Sequence, residues 1–172
     1  MAVGKHFAVL QVVGYQNSGK TVLMEKLIAR AAASGLSAGS LKHHGHGGTP
    51  ELPFKDSTKH FEAGAVLSGA EGEGVLQFAA KMHNFSPEKL LDLYSFFQLD
   101  VLFIEGYKEK PFPKAVLISR EEDVNLISKL AGVVCVITSI PLTGLNGIKL
   151  FKREDEDQYI DFLMKEVRKQ SE

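Results

Sequence analysis

The residues best suited to chemistry are Gly14-Tyr15-Gln16-Asn17-Ser18-Gly19-Lys20-Thr21. They match G-x-x-x-x-G-K-[ST], a loop that wraps a polyphosphate. Successive backbone N–H groups of such a loop turn inward towards the anion. A glycine at each end permits tight turns and close approach of the backbone. A helix that begins inside the loop adds its own N–H groups and the positive end of its dipole. Lys20 can then reach the β- and γ-phosphates, and the Thr21 hydroxyl can ligate Mg²⁺. The pattern implies a nucleoside triphosphate bound with Mg²⁺. The rival reading is a glycine-rich turn that happens to contain Lys-Thr. Context argues against it, because an uncharged strand ends one residue earlier and a helical period starts within the loop.

Such a loop needs an acidic partner for the metal, usually at the end of a neighbouring strand. Val101-Leu102-Phe103-Ile104-Glu105-Gly106 supplies Glu105. The bland alternative is an ordinary carboxylate at a strand end. Asp100 starts the same strand, at the wrong edge of a parallel sheet. Asp56 has two open readings, a helix N-cap or a switch-type metal ligand. The candidate metal residues are therefore Thr21, Asp56 and Glu105, and the candidate catalytic pair is Lys20 and Glu105. Lys42-His43-His44-Gly45-His46 follows the second strand, on the same sheet edge as the loop. Three histidines invite a zinc reading, but no second cysteine and no structural-zinc spacing accompany them. A phosphate- or substrate-facing loop with Lys42 as the cation fits better. Lys108, Lys110 and Lys114 are expected on a solvated face, with contact to an anionic ligand as the alternative. His6, His60 and His83 are isolated surface or core residues.

The elements that must position these groups alternate along the chain. Phe7–Val13 is an uncharged apolar run, suited to a strand buried on both faces. Lys20–Ser34 places Val22, Leu23, Leu27, Ile28 and Ala31 at helical spacing, and Gly35 can close that helix. Leu36–Leu41 reads as a second strand. Lys42–Lys55, rich in His, Gly and Pro, reads as a mobile loop, and Asp56–Ala63 as a short helix. Ala65–Ser68 and Gly74–Ala79 read as a short hairpin around Glu71-Gly72-Glu73-Gly74. Ser86-Pro87 opens a helix to about Phe97. Val101–Ile104, Ala115–Ile118 and Val133–Thr138 are further strands, with a short helix near Glu121–Ser128. Ile148–Phe151 is a short strand. Asp155–Lys169 is a terminal helix, capped by Asp155, with Tyr159, Ile160, Leu163, Met164 and Val167 on one face. The pattern predicts an α/β fold with a mostly parallel sheet flanked by helices, formed by residues 1–172 as one domain.

Bulk composition narrows the function. The 172 residues are 44% hydrophobic and 24% charged, with a formal net charge of −1. No basic excess argues for nucleic acid, so a nucleotide site must be local. No segment reads as a membrane span. The single cysteine, Cys135, rules out an internal disulfide and suits a cytoplasmic protein. Its apolar surroundings make it a core residue.

Taken together, the motifs resemble those of the MobB family, molybdopterin-guanine dinucleotide biosynthesis protein B. The resemblance spans nearly the whole chain. It rests on Val13 to Thr21, Leu41-Lys42-His43-His44, Lys55-Asp56-Ser57, Ala63-Gly64-Ala65, Ile104-Glu105-Gly106-Tyr107-Lys108 and Lys114. It implies a P-loop NTPase fold, like that of dethiobiotin synthetase and the nitrogenase iron protein, and a homodimer. It implies GTP with Mg²⁺ on Gly14–Thr21, weak hydrolysis, and assistance to a MobA-type nucleotidyltransferase that joins GMP to molybdopterin. It also raises Glu105 and Asp56 as metal carboxylates. Ser139 stands where family members can carry an Asp to read guanine, and serine is a weaker discriminator there.

The residues and the resemblance together leave three functions open, the guanine preference of the first being implied by the resemblance. One is an accessory GTPase, slow because no strong base is evident and positioning must do the catalysis. Another is an ATP-dependent small-molecule ligase or kinase of the dethiobiotin-synthetase-like branch. The third is a binding adaptor whose nucleotide only sets its conformation.

Overall fold

Seven uncharged residues allow β1 (Ala8–Gly14) to be buried along its whole length. The computed structural model describes residues 7–44, 50, 55–82, 86–145 and 147–170. Most of the expected loop Lys42–Lys55, and also His6, His46 and His83, lie outside that set. The described residues fall into two compact units, one within 1–45 and 91–172, the other within 46–90.

The larger unit is built on β1, β2 (Ala38–Lys42), β5 (Val101–Glu105), β6 (Lys114–Ile118), β7 (Val133–Thr138) and β8 (Lys149–Lys152). They form one six-stranded sheet in the order β2-β5-β1-β6-β7-β8. Every pairing in it is parallel. Parallel strands need crossovers that cover both faces, which explains the uninterrupted apolar runs. Helices α1 (Lys20–Ala33) and α4 (Glu156–Arg168) lie on one face. There Leu23, Leu27, Ala31, Leu163 and Val167 pack against Leu10, Val12 and Phe103. On the other face, Leu126 and Ile127 of 3₁₀ turns at Glu121–Lys129 cover Val13, Val116 and Val136. Val22 shares the helical period of α1 but is exposed, so the buried stripe is Leu23, Met24, Leu27 and Ala31.

The ends of α1 follow from local chemistry. Its C-terminus closes in a Schellman motif, with Gly35 at φ +76°. The Gly35 N–H donates to Ala32 O, and that of Leu36 to Ala31 O; glycine takes this left-handed position without a Cβ penalty. Helix α4 differs from expectation at its start. Asp155 occupies the N-cap position, but its carboxylate accepts from the Lys152 N–H at 3.1 Å rather than from the helix.

The smaller unit holds α2 (Lys55–Glu62) and the antiparallel hairpin β3 (Leu67–Gly72) and β4 (Val75–Ala80). Its turn residues, Glu73 and Gly74, both have positive φ, as a two-residue hairpin of matching twist requires. The hydroxyl of Ser68 donates to Ser57 O, tying β3 to α2. Helix α3 (Pro87–Ser95) begins as expected, with the Ser86 hydroxyl accepting from the Lys89 N–H at 3.3 Å.

Candidate functional site

Three strands end together at the carboxyl edge of the sheet. Glu105, last in β5, is in register with Val12 of β1 on one side and Lys42 of β2 on the other. Gly14 ends β1, and α1 starts at Lys20, so residues 15–19 form the connecting loop. Asn17 and Gly19 turn the backbone through left-handed φ values of 61° and 87°. Asparagine tolerates that region and glycine occupies it freely. A side chain on Gly14 would meet Ser18 Oγ at 2.5 Å, so this glycine leaves room for the serine tucked beneath the loop. Ser18 is buried and its hydroxyl finds no partner among the described residues.

Lys20, Thr21, Lys42 and Glu105 converge at the loop. Thr21 Oγ1 donates to Glu105 Oε2 at 3.3 Å, and Lys42 Nζ lies 3.8 Å from Glu105 Oε1. Lys20 Nζ reaches back across the loop to Tyr15 O at 2.7 Å. Burial holds the Lys20 ammonium below the usual lysine range; Glu105 opposes that shift, while Lys108 and Lys42 add to it. A hydroxyl and a carboxylate within hydrogen-bond distance form an all-oxygen donor set of the kind Mg²⁺ takes. The remaining positions of such an ion are normally filled by phosphate oxygens and water. The residues present therefore fit a magnesium nucleotide.

Glu105 is followed by two left-handed residues, Gly106 (φ 100°) and Tyr107 (φ 50°). This reversal stacks the Tyr107 ring on His43, with centroids 4.0 Å apart. Positive φ at a tyrosine costs on the order of 1–3 kcal/mol, so neighbouring groups must hold it. Gln11, fully buried in β1, does so: its Nε2 donates to Gly106 O at 2.9 Å and Tyr107 O at 2.8 Å. Lys108 then lies over the Tyr15 ring, 4.3 Å from its centroid.

Two expectations change. Lys114 is not on a solvated face; it is fully buried, and its ammonium donates to Lys110 O and Ala131 O. Asp56 is not an N-cap; it is the second residue of α2, exposed, and paired with Lys59 at 3.2 Å. An acidic residue in a first turn suits the helix dipole. Asp56 belongs to the smaller unit. Gln11 and Arg153 escaped the sequence reading. A lone glutamine in an uncharged buried strand was the available signal for the first. The second stands just past β8, and its Nη2 donates to Ser18 O at 2.7 Å; only its place at a strand end could have flagged it.

The all-parallel sheet, with its phosphate-type loop between β1 and α1, defines a P-loop NTPase-like α/β protein. The family model "Molybdopterin guanine dinucleotide synthesis protein B" matches residues 9–139, and the chain belongs to this MobB family. A Bacillus subtilis (strain 168) protein described as "Probable molybdopterin-guanine dinucleotide biosynthesis adapter protein" is 37% identical over 175 residues, 99% of each chain. An Escherichia coli (strain K12) adapter protein is 28% identical over 173 residues, 94% of each chain. The crystal structure of Bacillus subtilis MobB is 36% identical with a TM-score of 0.82, covering 94% of this chain and 98% of that one.

Proposed function

We propose that this protein is an adapter in molybdopterin-guanine dinucleotide synthesis that binds GTP with Mg²⁺ on Gly14–Thr21. It would assist a MobA-type nucleotidyltransferase in the cytoplasm. The observation that carries the nucleotide reading is the Thr21 Oγ1–Glu105 Oε2 pair at the mouth of the loop. The loop peptides and Lys20 hold the phosphates, and Thr21 and Glu105 hold the metal. Bound Mg²⁺ supplies charge neutralisation at the phosphate oxygens. Lys42, beside Glu105, adds a second cation. Glu105 is the best-placed carboxylate to orient a water, and it is already engaged by Thr21 and Lys42. Hydrolysis is therefore slow, as positioning without a strong base implies.

The protein works as a homodimer, and the hairpin supports this. Side chains alternate across a strand, so Leu67, Leu76 and Phe78 share the face opposite Ser68, which binds α2. All three are exposed, and contiguous exposed apolar surface marks interaction sites.

Calorimetry with GTP and ATP, with and without Mg²⁺, tests the reading, with Lys20→Ala as control. A Mg²⁺-dependent preference for GTP that is lost in the variant supports it. A preference for ATP moves the protein to the ligase or kinase class. Failure of the folded protein to bind either nucleotide removes the phosphate-loop reading.

A further inference from the structure

We propose that Arg153 is a positioning residue that orients the phosphate loop for its anion, an inference resting on the nucleotide reading of Gly14–Thr21. Arg153 lies far outside the loop motif, just past β8 on the opposite side of the sheet from β2. Its backbone is fixed there, because its N–H donates to Thr138 O at 2.8 Å, continuing the β7–β8 ladder. From that anchor the guanidinium reaches the loop and Nη2 donates to Ser18 O at 2.7 Å.

That carbonyl belongs to the same peptide unit as the Gly19 N–H. A trans peptide is planar, and its C=O and N–H point in opposite directions. Holding the Ser18 oxygen on the Arg153 side therefore turns the Gly19 N–H to the other side. The guanidinium also lies directly against Gly19: a Cβ there would sit 1.8 Å from Nη2 and 2.9 Å from Cζ. The φ of +87° requires glycine at this position, and a side chain there would push the guanidinium away from the loop. Arg153 Nη1 is buried and finds no partner among the described residues. An unsatisfied donor on a permanent charge is costly to keep in a folded protein. Next to an anion-binding loop the same charge adds to the positive potential that a polyphosphate meets.

The test uses the full chain and two probes, GTP and inorganic tripolyphosphate, each with Mg²⁺. Dissociation constants are measured for wild type, Arg153→Ala and Arg153→Lys, and the Gly19 amide resonance is followed by NMR. Arg153→Ala should weaken both probes by a similar factor, on the order of 10- to 100-fold for a lost charged hydrogen bond. Arg153→Lys should recover part of the loss, since it keeps the charge but not the fork. The shift of the Gly19 amide on saturation with tripolyphosphate should shrink in Arg153→Ala, which a purely structural role would not produce. Unchanged affinity for both probes overturns the proposal. A loss confined to GTP also overturns it, and makes Arg153 a reader of the base. If Arg153→Ala does not fold, Arg153→Lys carries the comparison: parallel weakening supports the proposal and unchanged affinity refutes it. Wild type that binds neither probe sinks the nucleotide reading together with this one, whereas wild-type binding with an indifferent variant sinks this one alone.

Discussion

Replacing Gln11 with leucine tests whether the core of β1 sets the conformation of the site. Gln11 is fully buried and its Nε2 holds two carbonyls, Gly106 O and Tyr107 O. Leucine has a similar volume and donates nothing. Each carbonyl left without its donor costs about 1–3 kcal/mol when water cannot replace it. Gly106 and Tyr107 are only half-buried, so part of that cost is recovered by solvation. The change also removes Gln11 Oε1, which is buried without a partner among the described residues, a relief of similar size to one lost bond. The net expectation is a loss of about 1–3 kcal/mol, read as a lower urea midpoint with an unchanged slope. Freed of its tie, the left-handed turn at Gly106-Tyr107 should relax. Lys108 and Tyr107 should then move from Tyr15 and His43, weakening GTP·Mg²⁺ binding several-fold. A Gln11→Leu protein as stable as wild type, with unchanged nucleotide affinity, would refute the reasoning.

Further predictions concern groups away from the loop. Burial lowers the Lys114 pKa, so the unfolded chain binds more protons than the folded one between that lowered value and the ordinary 10.5. Its contribution to stability must then rise with pH through that window. Urea titrations of wild type and Lys114→Met between pH 7 and 10 should show their difference shifting towards wild type, and a flat difference would contradict this. Burial pushes the Cys135 thiol up to about 12, so a thiol reagent at pH 8 should label it only after denaturant is added; rapid labelling of the folded protein would count against the buried assignment. If the exposed face of the hairpin forms the proposed dimer, Leu76→Asp should shift sedimentation towards a monomer while leaving the melting of the sheet unit nearly unchanged. An unaltered dimer would move the interface elsewhere.

Much of this molecule is legible from local patterns. The loop motif, the uncharged strands and the period of α1 each depend on neighbours within a few residues, so β1, α1 and the strand ending in Glu105 can be read directly. Ser86-Pro87 opens a helix for equally local reasons, since one hydroxyl and one missing N–H suffice. The order β2-β5-β1-β6-β7-β8 is different in kind. It seats Glu105 between residues 12 and 42, and no local rule brings those three together. Lys114 looks like a surface lysine by composition, yet the pairing of β6 with its neighbours buries it, and the carbonyls of Lys110 and Ala131 receive its ammonium. Asp155 has the right type and place for a cap, but the turn after β8 offers its carboxylate the Lys152 N–H instead. Arg153 reaches Ser18 across 135 positions of chain. Residue type and short-range spacing determine which groups can bind a phosphate. Only the packed sheet decides which distant side chains orient them, because those contacts arise from strand order and the covering of both faces, and neither has a local signature.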